Sequence, residues 1–126
     1  MSPWICMRMT FANRCFRGNC DAMPFADESF DLVLSDPPYT EEDSRLYGCA
    51  KFPEKKFMSE CRRILRPTGY LGFLAYHYPS YRRQDWKMKG LFAVVTGASR
   101  RTRMFSVFQK TELSPTHLIR QKGEAL

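Results

Sequence analysis

Residues 1–20 contain no aspartate or glutamate, and Gly18 is the only glycine before Gly48. No glycine-rich phosphate loop of the G-x-G-x-G kind can be read there. Five cysteines occur (Cys6, Cys15, Cys20, Cys49 and Cys61), an odd number with no C-x-x-C pair. That pattern supports neither a disulfide framework nor a zinc site. Reduced thiols in or near a core are expected; Cys6, Cys15 and Cys20 as metal ligands is the alternative. The longest apolar stretch, Gly69 to Tyr78, falls short of the roughly 20 residues that cross a bilayer. The start, MSPWICMRMTF, lacks the charged region, apolar centre and small-residue cleavage site of a secretory signal. A cytoplasmic protein without membrane contact is expected. No internal repeat or low-complexity tract is present.

What remains suits one small domain: 126 residues, 44% of them apolar. The net charge of +7 is localised. Residues 1–78 carry ten basic and ten acidic side chains and sum to zero. Residues 79–110 hold Arg82, Arg83, Lys87, Lys89, Arg100, Arg101, Arg103 and Lys110 against Asp85 alone, and so carry the whole excess. Such a patch can mark a phosphate backbone or a solvated face.

Local patterns give an element order. Arg14 to Arg17 reads as a strand, and GNCDAMPFADES as a loop rich in turn formers. Phe30 to Ser35 is a short apolar run that reads as a buried parallel strand. Thr40 with Glu41, Glu42 and Asp43 suggests a short helix to Tyr47, stopped by Gly48. FPEKKFMSECRRILRPTG is the clearest helix: Pro53 suits its first position, and Phe57, Cys61, Ile64 and Leu65 share one face. Arg62, Arg63 and Arg66 sit where the helix dipole favours cations. GYLGFLAYHYP reads as a second buried strand, followed by an irregular basic segment to Gly90. LFAVVTG and RMFSVFQK read as a hairpin. The expectation is an α/β fold with a mostly parallel sheet and an antiparallel finish. It places one domain over residues 1–110 and a polar tail over 111–126.

Asp36-Pro37-Pro38-Tyr39 follows directly on the apolar strand, at the sheet end where α/β proteins bind ligands. A residue before proline is held extended. Neither proline has an N–H, so this loop presents carbonyls and few donors. Asp36 offers a carboxylate and Tyr39 an aromatic plane. A rigid acceptor pair beside a stacking ring suits a flat heterocycle with an exocyclic amino group. Asp36 and the Pro37 carbonyl would each accept one amino hydrogen, which localises the nitrogen lone pair and makes it nucleophilic.

DPPY resembles the catalytic motif of class I S-adenosylmethionine-dependent methyltransferases acting on amino groups, above all adenine N6 in DNA. GNCDAMPFADESFDLVLSDPPY is similar to the family's run from third-strand exit through fourth strand to catalytic loop. FMSECRRILRPTGYLGF resembles the following helix, turn and strand, where the family reads R-x-L-R/K-P-G-G. The resemblance covers Arg17 to Lys110. It implies a partial Rossmann-like sheet, S-adenosylmethionine as cofactor, no metal, and Asp36, Pro37, Pro38 and Tyr39 as catalytic residues. Asn19 takes the place of the acid that reaches the cofactor's adenine, Cys20 packs beside that ring, and Asp21 substitutes if the register shifts by two.

The same resemblance calls for a first strand with a G-x-G-x-G loop and an acid after the second strand. Neither is present, so the chain reads as a C-terminal methyltransferase portion. Phe30 to Ser35 would then be an exposed edge that invites WICMRMTF, a second copy or a complementing chain. His77, Tyr81, Arg82, Arg83, Arg100, Arg101 and Arg103 are the expected substrate contacts, with DNA the expected partner. The alternatives are methyl transfer to a small molecule, RNA or a protein amide, or a non-catalytic remnant that keeps the basic surface.

Overall fold

The helix over Glu54–Ile64 organises the described part of the chain. The computed structural model describes residues 9–11, 14–16, 18–37, 42, 45, 52–95, 97 and 101–112. Within them, α1 spans Glu54–Ile64, with Glu54 in its first turn and Arg62 and Arg63 in its last. Both placements complement the helix dipole. Phe57, Met58, Cys61 and Ile64 are its buried residues, spaced to lie on one face. Pro53 is the N-cap residue. The short helix expected from Thr40 to Tyr47 falls largely outside the described residues; Glu42 and Arg45 are helical and exposed.

A four-stranded sheet lies against α1. Its strands are β3 (Phe30–Ser35), β4 (Leu65–Ala75), β5 (Trp86–Val95) and β6 (Thr102–Lys110), in the order β3-β4-β6-β5. β1 (Met9–Phe11) and β2 (Arg14–Phe16) form a separate antiparallel pair. β3 and β4 are parallel, joined through α1, but β4–β6 and β5–β6 are both antiparallel. The expected mostly parallel sheet is therefore corrected to a mixed one. Each parallel pair needs a crossover, and the described chain makes one. β5 also begins at Trp86, inside the segment expected to be irregular. Trp86 and Met88 turn inward while Lys87 and Lys89 are exposed, an alternation typical of a half-buried strand.

The helix passes straight into β4. The Leu65 N–H donates to the Cys61 carbonyl, and Leu65 is already extended. Phe30 pairs with Leu65 and Leu32 with Tyr70, so β4 places four residues, 66–69, opposite Asp31. That bulge contains Thr68 at φ 64°, a left-handed conformation that strains a β-branched residue. At Gly69 an added Cβ would lie 2.9 Å from the Arg66 carbonyl oxygen.

The core sits between α1 and one face of the sheet. Leu71, Phe73 and Ala75 of β4, Phe108 of β6 and Trp86 of β5 meet Phe57, Cys61 and Ile64 there. Cys20 and Met23 complete it from the loop before β3. No described helix is long and apolar enough to cross a membrane.

Candidate active site

β3 ends at Ser35, and the chain leaves the sheet through Asp36 and Pro37. Asp36 is exposed and Pro37 buried, so the carboxylate faces outward from a fixed base. Pro38 and Tyr39 lie outside the described residues. Ser35 is buried, and its hydroxyl has no hydrogen-bond partner. An unsatisfied buried hydroxyl is costly, and here it sits directly under the expected site.

The end of the sheet that bears Asp36 also holds the exit of β4 and the start of β6, because Ala75 pairs with Met104. Arg101 donates to the Tyr76 hydroxyl at 3.1 Å across that end. Arg103 is half-buried in β6 beside it, and Arg100 lies outside the described residues. His77 is exposed there, with Nε2 3.5 Å from Glu54 Oε1 at the start of α1.

The remaining expected contacts are placed differently. Trp86 pairs with Lys110, and Lys110 Nζ donates to the carbonyl of Leu65 at the beginning of β4. The turn before Trp86, in which the Asp85 and Trp86 N–H groups donate to the Arg82 carbonyl, lies at that far end. Arg82 and Arg83 are therefore at the opposite end of the sheet from Asp36, which corrects the expectation that this segment flanks it. The segment from Tyr76 to Asp85 runs back along the α1 side, carrying Tyr81 edge-on against Phe108 at 4.9 Å. Lys110 is not part of a basic surface. It is buried, and burial, reinforced by Arg62, lowers its pKa below the usual 10.5. The charge excess is thus divided between the two ends.

Loop 18–29 carries the expected cofactor contacts. Asn19 is half-buried and forms an isolated bridge with Ala22, whose N–H donates to the Asn19 carbonyl at 3.2 Å. The Asn19 side-chain oxygen is buried with no donor. Cys20 is buried, and Asp21 is half-buried. Cys61 is also a buried free thiol, and burial, then the neighbouring Cys20 and Glu60, push its pKa well above 9.0. Both thiols are packing groups, as expected. Among the described residues no cluster of His, Cys, Asp and Glu could hold a metal ion.

Glu60 and Arg63 hold this loop, although the sequence marks Arg63 only as a cation suited to the helix dipole and gives Glu60 no role. Arg63 donates to Glu60 through Nε and Nη2 (2.9 Å each), to the Phe25 carbonyl at 2.7 Å, to Asp27 at 2.8 Å and to the Met23 carbonyl at 3.0 Å. Glu60 Oε2 accepts the Met23 N–H at 2.7 Å. The backbone adds Glu28 N–H to the Arg63 carbonyl and Ser29 N–H to the Ile64 carbonyl. The last turn of α1 therefore clamps the loop by charge-assisted bonds. The Arg63 bond holds the Glu60 carboxyl below its usual 4.5, with the Met23 N–H helping and burial opposing. The Glu-x-x-Arg spacing was the available signal, but it does not reveal partners nearly 40 residues away.

A cleft of about 460 Å3 lies between α1 and residues 80–86, lined by Lys55, Met58, Arg62, Tyr81, Arg82 and Trp86 among others. It includes neither Asp36 nor Asn19, and Arg62 and Arg82 both face Asp85 at 3.7 and 3.6 Å.

Comparison with known proteins places this arrangement. The family model for a methyltransferase domain matches residues 6–73, just over half of the chain. The probable phthiotriol/phenolphthiotriol dimycocerosates methyltransferase 2 of Mycobacterium ulcerans (strain Agy99) is 40% identical over 57 residues. That match covers 45% of this chain and 19% of the relative, so it spans about a fifth of the relative's length. A solved S-adenosylmethionine-dependent methyltransferase from Methanosarcina mazei aligns with TM-score 0.51 at 10% identity, over 75% of this chain and 65% of that one. A structure solved in work on conversion of a disulfide bond into a thioacetal group during echinomycin biosynthesis gives TM-score 0.51 at 10% identity, over 86% and 60%. At that identity each likeness shows the fold alone.

Proposed function

The chain belongs to the methyltransferase domain family, and on that footing we propose that it takes part in S-adenosylmethionine-dependent methyl transfer. Its own residues form the acceptor side and one contact to the cofactor. The observation that carries this reading is the pairing of two features: an outward carboxylate, Asp36, at the strand end and an undonated buried oxygen, Asn19 Oδ1, in the loop before that strand. An amino-bearing ring such as adenine supplies the donor that Asn19 Oδ1 lacks, so the residues present fit this cofactor. When bound, the cofactor supplies a methyl group on a sulfonium. Asp36 would orient the acceptor and take up its hydrogen-bond donors, and positioning would supply most of the rate.

The acceptor we propose is an exocyclic amino group, adenine N6 in DNA. Asp36 followed by a proline carbonyl matches two amino hydrogens, and Arg101 and Arg103 at the same sheet end supply positive charge for a phosphate. A base in duplex DNA would have to leave the helix to reach Asp36. The name of the mycobacterial relative favours a second reading, a hydroxyl acceptor on a small molecule. There Asp36 would take the hydroxyl proton as a general base.

Transfer of labelled methyl to a panel of adenine-containing oligonucleotides, free nucleosides, phenols and diols separates the two. The amino reading predicts labelled oligonucleotide, lost in Asp36→Ala, with a rate that falls as salt rises. Label on a phenol or diol alone, insensitive to salt, would replace it with the hydroxyl reading. No label on any acceptor from a chain that binds the cofactor would leave the non-catalytic alternative.

A further inference from the structure

The cleft between α1 and residues 80–86 includes neither Asp36 nor Asn19, and the proposed reaction makes no use of it. One wall is a stripe of α1. Lys55, Met58, Ser59 and Arg62 are spaced i, i+3, i+4 and i+7, which puts them on one helix face about 10 Å long. Ser80, Tyr81, Arg82, Asp85 and Trp86 line the other wall. Hydrogen bonds fix the two walls to each other at both ends. At the start of α1, the Ser80 N–H donates to Glu54 Oε2 at 3.5 Å. Near its end, Arg62 donates to the carbonyl of Asp85 and, at 3.3 Å, to that of Thr111. Burial then grades from base to mouth. Met58 is 5% and Trp86 3% exposed, and Tyr81 is half-buried. Lys55, Ser59, Ser80 and Arg82 are exposed. The cleft is therefore apolar at its base, with cations and hydroxyls at its mouth. That layout and a volume of about 460 Å3 suit a small ligand.

Three cations line the cleft against one acid. Asp85 is shared, with Arg62 Nε 3.7 Å and Arg82 Nε 3.6 Å from its two carboxylate oxygens. Lys55 forms no ion pair among the described residues. Glu54, its neighbour in sequence, is not part of the lining and faces His77. Two positive charges are thus left uncompensated, and Lys55 and Arg82 bring them to the mouth from opposite walls. We propose that this cleft binds a phosphate monoester of a small aromatic body. The ring enters against Met58, Tyr81 and Trp86, and the phosphate is held between Lys55 and Arg82 with the Ser59 and Ser80 hydroxyls donating. A monoester carries a charge of about −2 at pH 7, which matches the excess. A guanidinium fork suits its oxygens, and Lys55 adds a point charge. A nucleic-acid backbone fits less well. Its internal phosphates carry one charge each and have chain on both sides, whereas a cleft closed by Met58 and Trp86 admits one end only.

The test is a magnetic-resonance titration of the complete 126-residue chain with phenyl phosphate, inorganic phosphate and phenol. Phenyl phosphate should shift the backbone amides of residues 58–62 and 80–86 saturably, with a Kd at least about tenfold below that for either other probe. Lys55→Ala and Arg82→Ala should each weaken binding about fivefold. Ser59→Phe should remove it by filling the mouth, with thermal unfolding little changed because Ser59 is exposed. Lys56→Ala, at an exposed helix position outside the lining, should leave binding intact, and so should Asp36→Ala. Equal affinity for the three probes would overturn the proposal. So would binding that survives Ser59→Phe, or binding lost in Asp36→Ala. A single-stranded oligonucleotide that shifts these amides where phenyl phosphate does not would overturn it too, in favour of a nucleic-acid contact.

Discussion

The two faces of the four-stranded sheet are built from alternate residues of the same strands, yet they differ in cover. One carries Leu71, Phe73 and Phe108, all buried beneath α1, loop 18–29 and the segment before β5. The other carries Leu32, Leu34 and Phe92, all more than half exposed. Residue type does not distinguish them, since both are apolar. Packing partners do: the α1 side is covered and the other side is exposed. The candidate site follows the same division, because Asp36 leaves β3 while Asn19 lies in the loop whose residues from Met23 to Ser29 the last turns of α1 hold.

The largest expected effect is on the covered face. Phe73→Ala removes a ring packed against Phe52 and Phe57 at centroid distances near 6 Å. It should cost about 3–5 kcal/mol in denaturant unfolding. A cost equal to that of an open-face substitution would dissolve the distinction between the faces.

Next comes the clamp. Arg63→Met leaves the Met23 and Phe25 carbonyls without their charged donor and should cost about 1–3 kcal/mol. Amide exchange should rise in loop 18–29 while β4 and β6 stay protected; a uniform rise would show that Arg63 holds the whole fold. The clamp also has a pH signature. Glu60 titrates lower folded than unfolded, so its contribution is fully present above about pH 4.5 and is lost as pH falls through the folded value. Loop protection should fall in that acid window in the wild type, and Glu60→Gln should remove the step.

Thr68→Gly should raise stability by about 1 kcal/mol by relieving the left-handed threonine in the β4 bulge. The smallest effect belongs to the open face. Leu34→Asn should change stability by less than about 0.5 kcal/mol, since the side chain is mostly in water. A loss of several kcal/mol would show that another segment covers it.

Much of this was legible in the sequence. The spacing of Phe57, Cys61 and Ile64 announced α1, and Phe30 to Ser35 lies at the edge of the described sheet, where the resemblance put it. Leu65 was read onto the helix face because its position continues the helical spacing, but Pro67 precludes further helix and the chain turns extended at once. Trp86 to Gly90 looked irregular because lysines dominate it, although W-K-M-K alternates as a strand should. Arg82 and Arg83 were assigned to the Asp36 end because they follow β4 closely. The chain then runs the length of α1 before β5, a path that composition does not encode. Thr68 falls where the resembled pattern has glycine, and its positive φ shows why glycine suits that position.

In the proposed function Asn19 and Asp36 have separate tasks, one toward the cofactor and one toward the acceptor. Calorimetric titration of S-adenosylmethionine into the chain, beside Asn19→Ala and Asp36→Ala, tests this directly. Saturable binding is expected in the wild type, about fivefold weaker in Asn19→Ala from the loss of one hydrogen bond. Asp36→Ala should bind unchanged while losing methyl transfer. No heat at millimolar cofactor, or equal loss of affinity in both variants, would contradict it.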